Sequence, residues 1–335
     1  MGVRGRPRPR ARARARAELA RRHASPRDPD GRASHRRGAP LVSTAAVERS
    51  LWQDLVALTK PRIISLLLVT TVAPMYVAGE PTLATVLLVS LGGYLMAGGA
   101  NAVNMYLDRD IDDVMARTKL RPIPSGRMQA RSVIAFGVGL ATAATWLLAT
   151  FVNVLTAALA LGGFYFYVFI YTRWLKRSSP QNIVIGGAAG AFPPLVGWAA
   201  VTGRVDLTAF YLFLIVFYWT PPHFWALALN KQVDYGNAGV PMAPLVWGEH
   251  ETKEQMWWYS VLLVALTVLP VAFGAFGLLY LASALVLGGI LLWGVWRVRR
   301  AAAFAQPAWW VYGYSLLYLA LLFVAMVVDR YVPIG

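Results

Sequence analysis

The stretch NMYLDRDIDDVMARTKLRPIPSGR, residues 104–127, follows directly on an apolar run at residues 82–103. It contains four carboxylates and five basic side chains in a chain that is 57% hydrophobic and 14% charged. The preceding run is long enough to cross a bilayer as a helix. The pair of segments therefore predicts a membrane helix that leads into a polar site.

Composition supports a membrane protein along most of the 335 residues, because the apolar fraction exceeds that of ordinary soluble domains. The chain has no cysteine. Disulfide bonds, thiolate metal sites and a cysteine nucleophile are therefore excluded.

Nine apolar runs have the length of a helix that spans about 30 Å of hydrocarbon. They predict an all-α, polytopic fold within a transmembrane domain at residues 51–335. The weakest boundary lies between the seventh and eighth runs, where only FGAFG around Gly274 separates them and one long helix is the alternative. The predicted spans are 61–79, 82–103, 131–150, 153–172, 182–202, 207–229, 257–275, 277–296 and 308–328.

Basic residues alternate between the connections, with Lys60 and the segment 109–131 on one side and almost none in the opposite connections. Cytoplasmic loops collect Lys and Arg. The pattern predicts a multi-pass protein of the cell membrane with its N-terminus in the cytoplasm and its C-terminus outside.

Residues 1–50 form an Arg-rich extension, with 14 Arg against four acidic residues. So little apolar content predicts disorder. A solvated tail, binding to anionic lipid headgroups and a transit peptide are the open interpretations. No aromatic residues are interleaved with the arginines, so we expect no nucleic-acid partner.

Asn104, Asp108 and Asp112 are spaced i, i+4, i+8 and predict three oxygen donors on one helix face, here called the acid stripe. Carboxylates at that spacing repel each other, so a cation is expected between them. Hard oxygen ligands with incomplete protein coordination favour Mg²⁺ shared with a phosphate. The alternative is a juxtamembrane loop whose charges merely neutralise one another. Bases that could meet the phosphate charge follow closely: Arg109, Arg117, Lys119, Arg121 and Arg127.

A second polar cluster ends the sixth run, where Asn230 and Asp234 are also four residues apart, with Lys231 and Tyr235 beside them. The topology puts both clusters at one membrane face, which predicts one site built from two halves. His223 lies two turns deeper. It is either a hydrogen-bonded packing residue or a functional intramembrane group.

The strings NMYLDRDID, RTKLRPIPSGR, YTRWLKRSSPQNIVIGGAAGAFPPLVGW, PPHFWALAL and DYGNAGVPM resemble the protohaem IX farnesyltransferases (haem O synthases) of the UbiA superfamily of intramembrane prenyltransferases. The resemblance covers nearly all of the chain from residue 51. It implies nine helices around a central cavity, and transfer of farnesyl from farnesyl diphosphate to a vinyl group of haem b, giving haem O.

The resemblance also implies roles for individual residues. Mg²⁺ would be held by Asn104, Asp108 and Asp112, with Asn230 and Asp234 on the opposite wall, and Asn104, Asp108, Asp112 and Asp234 would be catalytic. Haem b, a substrate rather than a permanent cofactor, would meet His223, Trp225 and Tyr235, with His223 as a candidate iron ligand. Diphosphate-binding residues would be Arg117, Lys119, Arg121, Lys231, Lys176 and Arg177.

Expected partners are farnesyl diphosphate, haem b, the lipid bilayer, and haem A synthase or oxidase assembly factors. Three alternatives remain at this point. One is the same chemistry with a quinone or chlorophyll precursor as acceptor, and the others are a membrane transporter and a haem chaperone. The choice of haem b as the acceptor depends most on the resemblance. The acid stripe by itself predicts only that a metal ion and a diphosphate bind.

Overall fold

A computed structural model describes residues 50–332, which form helices and connecting turns with no strand. The predicted disordered extension lies outside these residues except at Ser50. We number the helices in chain order. They are α1 Leu51–Thr59, α2 Pro61–Ala78, α3 Leu83–Leu107, α4 Arg109–Val114, α5 Ala130–Phe151, α6 Val154–Ser178, α7 Asn182–Thr202, α8 Leu207–Asn230, α9 Gln232–Asn237, α10 Ala243–Val246, α11 Glu249–Ala272, α12 Leu278–Arg300 and α13 Ala305–Tyr331.

The nine predicted spans are confirmed within the described part of the chain, since nine of its helices are long and apolar enough to cross a membrane. They are α2, α3, α5, α6, α7, α8, α11, α12 and α13. The seventh span differs most from its predicted bounds of 257–275. Its helix α11 begins at Glu249, and the first turns of α11 are polar. Apolar length marks the buried stretch of a span, whereas the helix continues into the polar interface.

The spanning helices pack as a ring, in which α3 contacts α5, α7 contacts α8, and α13 contacts both α8 and α2. Small residues allow the closest approaches. A Cβ on Gly99 of α3 would lie 2.6 Å from the carbonyl oxygen of Gly137 on α5. A Cβ on Gly197 of α7 would overlap the carbonyl oxygen of Thr71 on α2. Glycine is therefore required at both helix crossings.

The uncertain boundary between the seventh and eighth runs is a true break. α11 ends at Ala272, Gly274 adopts a left-handed φ of 69°, and α12 begins at Leu278. Asp329 of α13 stabilises this start, because its carboxylate accepts hydrogen bonds from the backbone N–H groups of Gly277 (2.6 Å) and Tyr280 (3.0 Å). The carboxylate thus caps a helix N-terminus from another helix.

Asp329→Ala should lower the free energy of unfolding by about 2 kcal/mol, because two buried N–H groups lose a charged acceptor. Asp329 is only 6% exposed, so water does not replace it fully. Thermal unfolding in detergent measures the change. Glu80→Ala, at an exposed acid in another connection, should leave the midpoint unchanged. Equal midpoints for both variants would contradict the capping role.

Candidate active site

The acid stripe crosses the junction of two helices. α3 ends at Leu107, Asp108 stands between, and α4 begins at Arg109. Backbone hydrogen bonds from Asp108 N to Asn104 O (2.9 Å) and from Asp112 N to Asp108 O (2.8 Å) keep the i to i+4 register across the junction. All three side chains are buried. The spacing read from the sequence is therefore preserved, although the helix is not continuous.

Each member of the stripe carries a cationic partner. Lys176 of α6 lies 2.5 Å from Asp108, and Arg121 donates to both oxygens of Asp112 at 2.8 and 2.6 Å. Lys60 donates to Oδ1 of Asn104 at 3.1 Å. Buried carboxylates require such compensation. Basic side chains of the protein thus contact all three members of the stripe, and a metal ion between them stays a prediction.

Lys60 is a site residue that the sequence analysis used only for topology. It links α1 to α2 with a φ of 56°, a left-handed conformation shared by no other non-glycine residue at positions 50–332. Burial lowers the pKa of its amine to about 7, and the Arg121 guanidinium acts in the same direction. Pro61 is the sequence signal that could have indicated a special role for Lys60, because the helical conformation is disfavoured for a residue that precedes proline.

Thr172 was also missed, because it depends on a π-helical turn that periodicity does not reveal. Residues Phe166–Leu175 of α6 are π-helical, a distortion frequent at functional sites. The Thr172 hydroxyl donates to the carbonyl of Tyr167 (2.8 Å) and accepts from Nδ2 of Asn104 (3.1 Å). Nδ2 also donates to Oδ2 of Asp108 at 2.8 Å. The Asn104 amide is thus fixed with its oxygen toward Lys60.

One oxygen of the stripe has no hydrogen-bond donor among the described residues. This is the buried Oδ1 of Asp108, which lies 3.6 Å from Nη2 of Arg177. A carboxylate oxygen without a hydrogen bond, together with a second carboxylate and an amide oxygen, forms a set of oxygen ligands that suits a hard cation. Residues 50–332 contain no group of three His, Cys, Asp or Glu side chains placed to hold a metal. The set fits Mg²⁺ that takes its remaining ligands from water and phosphate.

The second cluster is arranged differently from the prediction. α8 ends at Asn230, and α9 begins only at Gln232, so Asn230 and Asp234 lie on separate helices rather than on one. Asn230 Nδ2 donates to the carbonyl of Ala226 in its own helix (3.2 Å). Lys231 lies 4.0 Å from Asp234. Within the described chain no hydrogen bond or ion pair joins Asn230 or Asp234 to the acid stripe.

Tyr235 of the second cluster lies near Arg117, which follows the acid stripe along the chain. Tyr235 of α9 is buried, and that burial raises the pKa of its phenol, while the nearby Arg117 guanidinium acts in the opposite direction. Arg117 belongs to the segment that follows α4. Arg117 thus lies near the second cluster, and among the described residues no hydrogen bond or ion pair joins it to the acid stripe.

The remaining predicted diphosphate-binding residues lie at or just beyond the C-terminal ends of α4, α6 and α8. Arg177 pairs with Asp110 at 2.7 Å, and its hydrogen bonds lower the pKa of the Asp110 carboxyl to about 2. Arg117 and Lys119 are exposed. Lys231 lies 5.8 Å from the ring centre of Trp309. The site thus has an inner set of cations on the stripe and an outer set open to an incoming anion.

An apolar cavity of about 340 Å³ lies beneath the stripe. Tyr167 and Tyr171 form its polar end, with ring centres 5.7 Å apart and planes at 22°. Ala160, eleven residues before Tyr171, marks a depth of roughly 15 Å along α6. Walls of the cavity come from α2, α3, α6, α7 and α8. The volume lies in the range of small-molecule sites.

Two strings that carried the resemblance form one wall of this cavity. From α7 it includes Ile183, Gly187, Gly190 and Pro193. From α8 it includes Thr220 and Phe224. The predicted central cavity is therefore present, and residues of both strings line it.

His223 faces α13 rather than the cavity. Its ring stacks between Trp219 (4.3 Å) and Tyr312 (4.7 Å), and Nδ1 lies 2.7 Å from the Ser315 hydroxyl. The Ser315 hydroxyl can donate to the Tyr312 carbonyl at 2.9 Å, and in that arrangement Nδ1 donates to the hydroxyl while the lone pair of the neutral ring lies on Nε2. The predicted role in haem binding is untested by this geometry.

The two other predicted haem contacts lie apart. Trp225 is fully buried and meets Trp247 and Tyr259 edge-on, with ring centres at 6.0 and 5.4 Å. Neither Trp225 nor His223 is among the described residues that line the cavity. Tyr235 is buried on α9, whereas Trp225 packs on α11.

Residues 66–322 match the model of the UbiA prenyltransferase family. The chain belongs to the UbiA prenyltransferase family. This membership agrees with the buried oxygen donors, the surrounding cations and the apolar cavity, which together can bind a prenyl diphosphate.

Relatives within the UbiA family are similar over most of the chain. A protoheme IX farnesyltransferase of Roseiflexus sp. (strain RS-1) is 57% identical over 285 residues, which is 84% of this chain and 53% of that protein. A protoheme IX farnesyltransferase of Symbiobacterium thermophilum is 52% identical over 280 residues, 83% of this chain and 94% of that protein. The chain thus spans about half the length of the first relative and nearly all of the second.

Solved UbiA-type structures share the fold. A structure of digeranylgeranylglyceryl phosphate synthase superposes with a TM-score of 0.66 at 18% identity, covering 83% of this chain and 98% of the other. A UbiA homologue from Archaeoglobus fulgidus bound to DMAPP and Mg²⁺ superposes with a TM-score of 0.56 at 14% identity, covering 81% and 99%. The nine-helix architecture is therefore that of the family.

Proposed function

We propose that this protein transfers the farnesyl group of farnesyl diphosphate to a vinyl group of haem b, giving haem O and diphosphate. The observation that carries the proposal is the acid stripe with its cations, set directly above an apolar cavity. The names of the similar relatives support farnesyl as donor group and haem as acceptor. Family membership favours this chemistry over a transporter or a haem chaperone.

In the reaction the allylic C–O bond of the donor breaks and diphosphate leaves. A C–C bond forms between the allylic carbon and one vinyl carbon, and a water oxygen adds to the other vinyl carbon with loss of a proton. The vinyl group is a weak nucleophile, so the donor must ionise while both partners are held close. No protein nucleophile is required.

Mg²⁺ is the cofactor that the donor set fits, with Asn104, Asp108 and Asp112 as its proposed ligands. When bound, it would neutralise charge on the departing diphosphate. The DMAPP and Mg²⁺ in the Archaeoglobus fulgidus homologue support this assignment. Asn230 and Asp234 remain proposed ligands on the opposite wall.

The protein's own cations bind the diphosphate in this scheme. Lys176, Arg121 and Lys60 now contact the stripe, and an incoming diphosphate offers them a second anionic partner. The outer cations act earlier by attracting and orienting the anion. They are Arg117, Lys119, Lys231 and Arg177.

The cavity protects the allylic cation. Its lining is mainly apolar, so water is excluded from the carbon that ionises. Tyr167 and Tyr171 present stacked rings at the junction of polar site and cavity, where π faces stabilise a cation. These two rings are better placed for that role than Trp225, which packs against α11.

We infer that the nine helices cross the cell membrane with the acid stripe at the cytoplasmic face and the C-terminus outside. The basic residues of the polar site support this orientation. The bilayer is then a partner along the whole length of the spans. Haem A synthase and oxidase assembly factors stay predicted partners.

Haem ligation by His223 stays a prediction with a direct test. Purified protein is loaded with haem b, and the Soret band of His223→Ala is compared with the wild-type band. A shifted band with weaker haem binding is expected, since the free lone pair of Nε2 suits iron. An unchanged band would leave His223 as a packing residue between Trp219 and Tyr312.

The proposed function is tested with purified protein in detergent or liposomes, supplied with haem b, farnesyl diphosphate and Mg²⁺. Haem O is followed by chromatography and mass. Metal-dependent haem O formation is the expected result. Diphosphate release with a quinone or other aromatic acceptor, and never with haem, would overturn the acceptor assignment while leaving the donor site intact.

A further inference from the structure

An ion pair between buried Asp54 and partly buried Arg127 joins α1 to the segment that carries the diphosphate-binding bases. Arg127 Nε and Nη2 donate to both oxygens of Asp54, at 2.9 to 3.2 Å. Nη2 also donates to the carbonyl of Leu120 at 3.0 Å. Asp54 is 3% exposed. The guanidinium therefore binds α1 and the middle of residues 115–127 at once.

The same two elements share an apolar cluster. Leu55 and Leu58 of α1 pack with Ile123 and Met128, which flank or belong to the segment. α1 itself is anchored on α3, because Nδ2 of Asn101 donates to the carbonyl of Thr59 at 2.9 Å. The ion pair is thus the polar centre of a contact between a fixed helix and an otherwise irregular segment.

The cost of burying this pair indicates a role beyond neutralisation. Removing the Asp54 carboxylate from water costs free energy that its attraction to Arg127 largely offsets, so the pair adds little net stability. Its bidentate geometry, however, fixes the orientation of the guanidinium relative to α1. Arg121 lies in the same segment, six residues from Arg127, and pairs with Asp112. In the proposed function Arg121 gains the diphosphate as a second partner, whereas Arg127 keeps Asp54 as its only carboxylate partner among the described residues.

We propose that Asp54 and Arg127 are positioning residues that hold residues 115–127 in place while Arg121 and Arg117 engage the diphosphate. This inference rests on the proposed function for its substrate. The pair touches neither the acid stripe nor the cavity, so it acts on the donor through the segment. Its effect should therefore appear in donor binding rather than in the chemical step.

The first test compares steady-state kinetics of Asp54→Asn and wild type. KM for farnesyl diphosphate should rise about tenfold with kcat changed less than about twofold, because a uniform binding interaction is lost. KM for haem b should not change. Arg127→Lys keeps the positive charge but loses the bidentate guanidinium contact. Its KM for farnesyl diphosphate should therefore lie between the values of wild type and Asp54→Asn. The double exchange Asp54→Arg with Arg127→Asp should recover most of the donor affinity.

A matched control comes from the ion pair of Glu254 and Arg299, which joins α11 to α12 at 2.6 Å. It lies on other helices, and among the described residues no hydrogen bond or ion pair joins it to residues 115–127. Glu254→Gln should leave both KM values unchanged. A rise of the two KM values together, or a fall of kcat alone, in Asp54→Asn would overturn the proposal.

A second readout does not depend on catalysis. Trypsin can cleave after Arg117 and Lys119, which are exposed. Mg²⁺ with inorganic pyrophosphate should slow this cleavage in wild type and in Glu254→Gln, and fail to do so in Asp54→Asn. Equal protection of all three proteins would overturn the positioning role. Wild-type protein that is protected yet never forms haem O would instead count against the proposed function alone.

Discussion

Asp108→Asn should lower haem O formation by about 10² to 10³-fold, the effect expected when one preorganised electrostatic contact is removed from a transition state. The substitution keeps the shape of the side chain but removes its charge. Asp108 accepts from Asn104 and Lys176 through one oxygen and presents the other without a donor. The variant should also need more Mg²⁺, because a charged ligand becomes a neutral one.

The control for this prediction is Asp113→Asn on α4. Asp113 is exposed and forms no ion pair with any described residue. It should retain the wild-type rate and Mg²⁺ requirement. Unfolding midpoints are measured for both variants, since Lys176 loses its partner in Asp108→Asn. A wild-type rate in folded Asp108→Asn would remove the acid stripe from the mechanism.

Gly190→Phe should lower the rate of transfer about 10²-fold, the loss that follows when a substrate is displaced by about 1 Å. Gly190 lines the cavity, and a Cβ built there meets no atom within 4 Å. The new ring would therefore enter the cavity without disturbing the helix contacts. Leu at the same position should give a smaller loss, and Ala little change.

Gly139→Phe on α5 is the matched control. A Cβ on Gly139 also meets no atom within 4 Å, but this residue is exposed and lies outside the cavity. It should transfer farnesyl at the wild-type rate. Protection of the segment 115–127 by Mg²⁺ and pyrophosphate should survive in both variants. Wild-type turnover by Gly190→Phe would mean that the substrates bind elsewhere.

Lys60 and Asp54 illustrate what a sequence pattern cannot reveal. Both precede the first long apolar run and have no periodic relation to their partners. Lys60 reaches Asn104 across 44 positions, and Asp54 reaches Arg127 across 73. Pairings of this kind depend on which helices become neighbours. Periodicity within one helix carries no information about that choice.

The sequence alone determined the nine membrane helices and the order of donors in the acid stripe. Hydrocarbon thickness sets the length of an apolar run, and the helical repeat sets which side chains share a face. Both constraints act within a single segment. Residue strings also indicated the family before any contact was known.

Tertiary structure alone decided which cation meets each carboxylate, and it separated Asn230 and Asp234 onto two helices. It also decided that His223 contacts Ser315 of α13, and that residues of α2, α3, α6, α7 and α8 line the cavity. These features arise between helices, where glycine crossings and the π-helical turn of α6 set distances and rotations. Packing of several segments together determines them, because no single segment contains both sides of the contact.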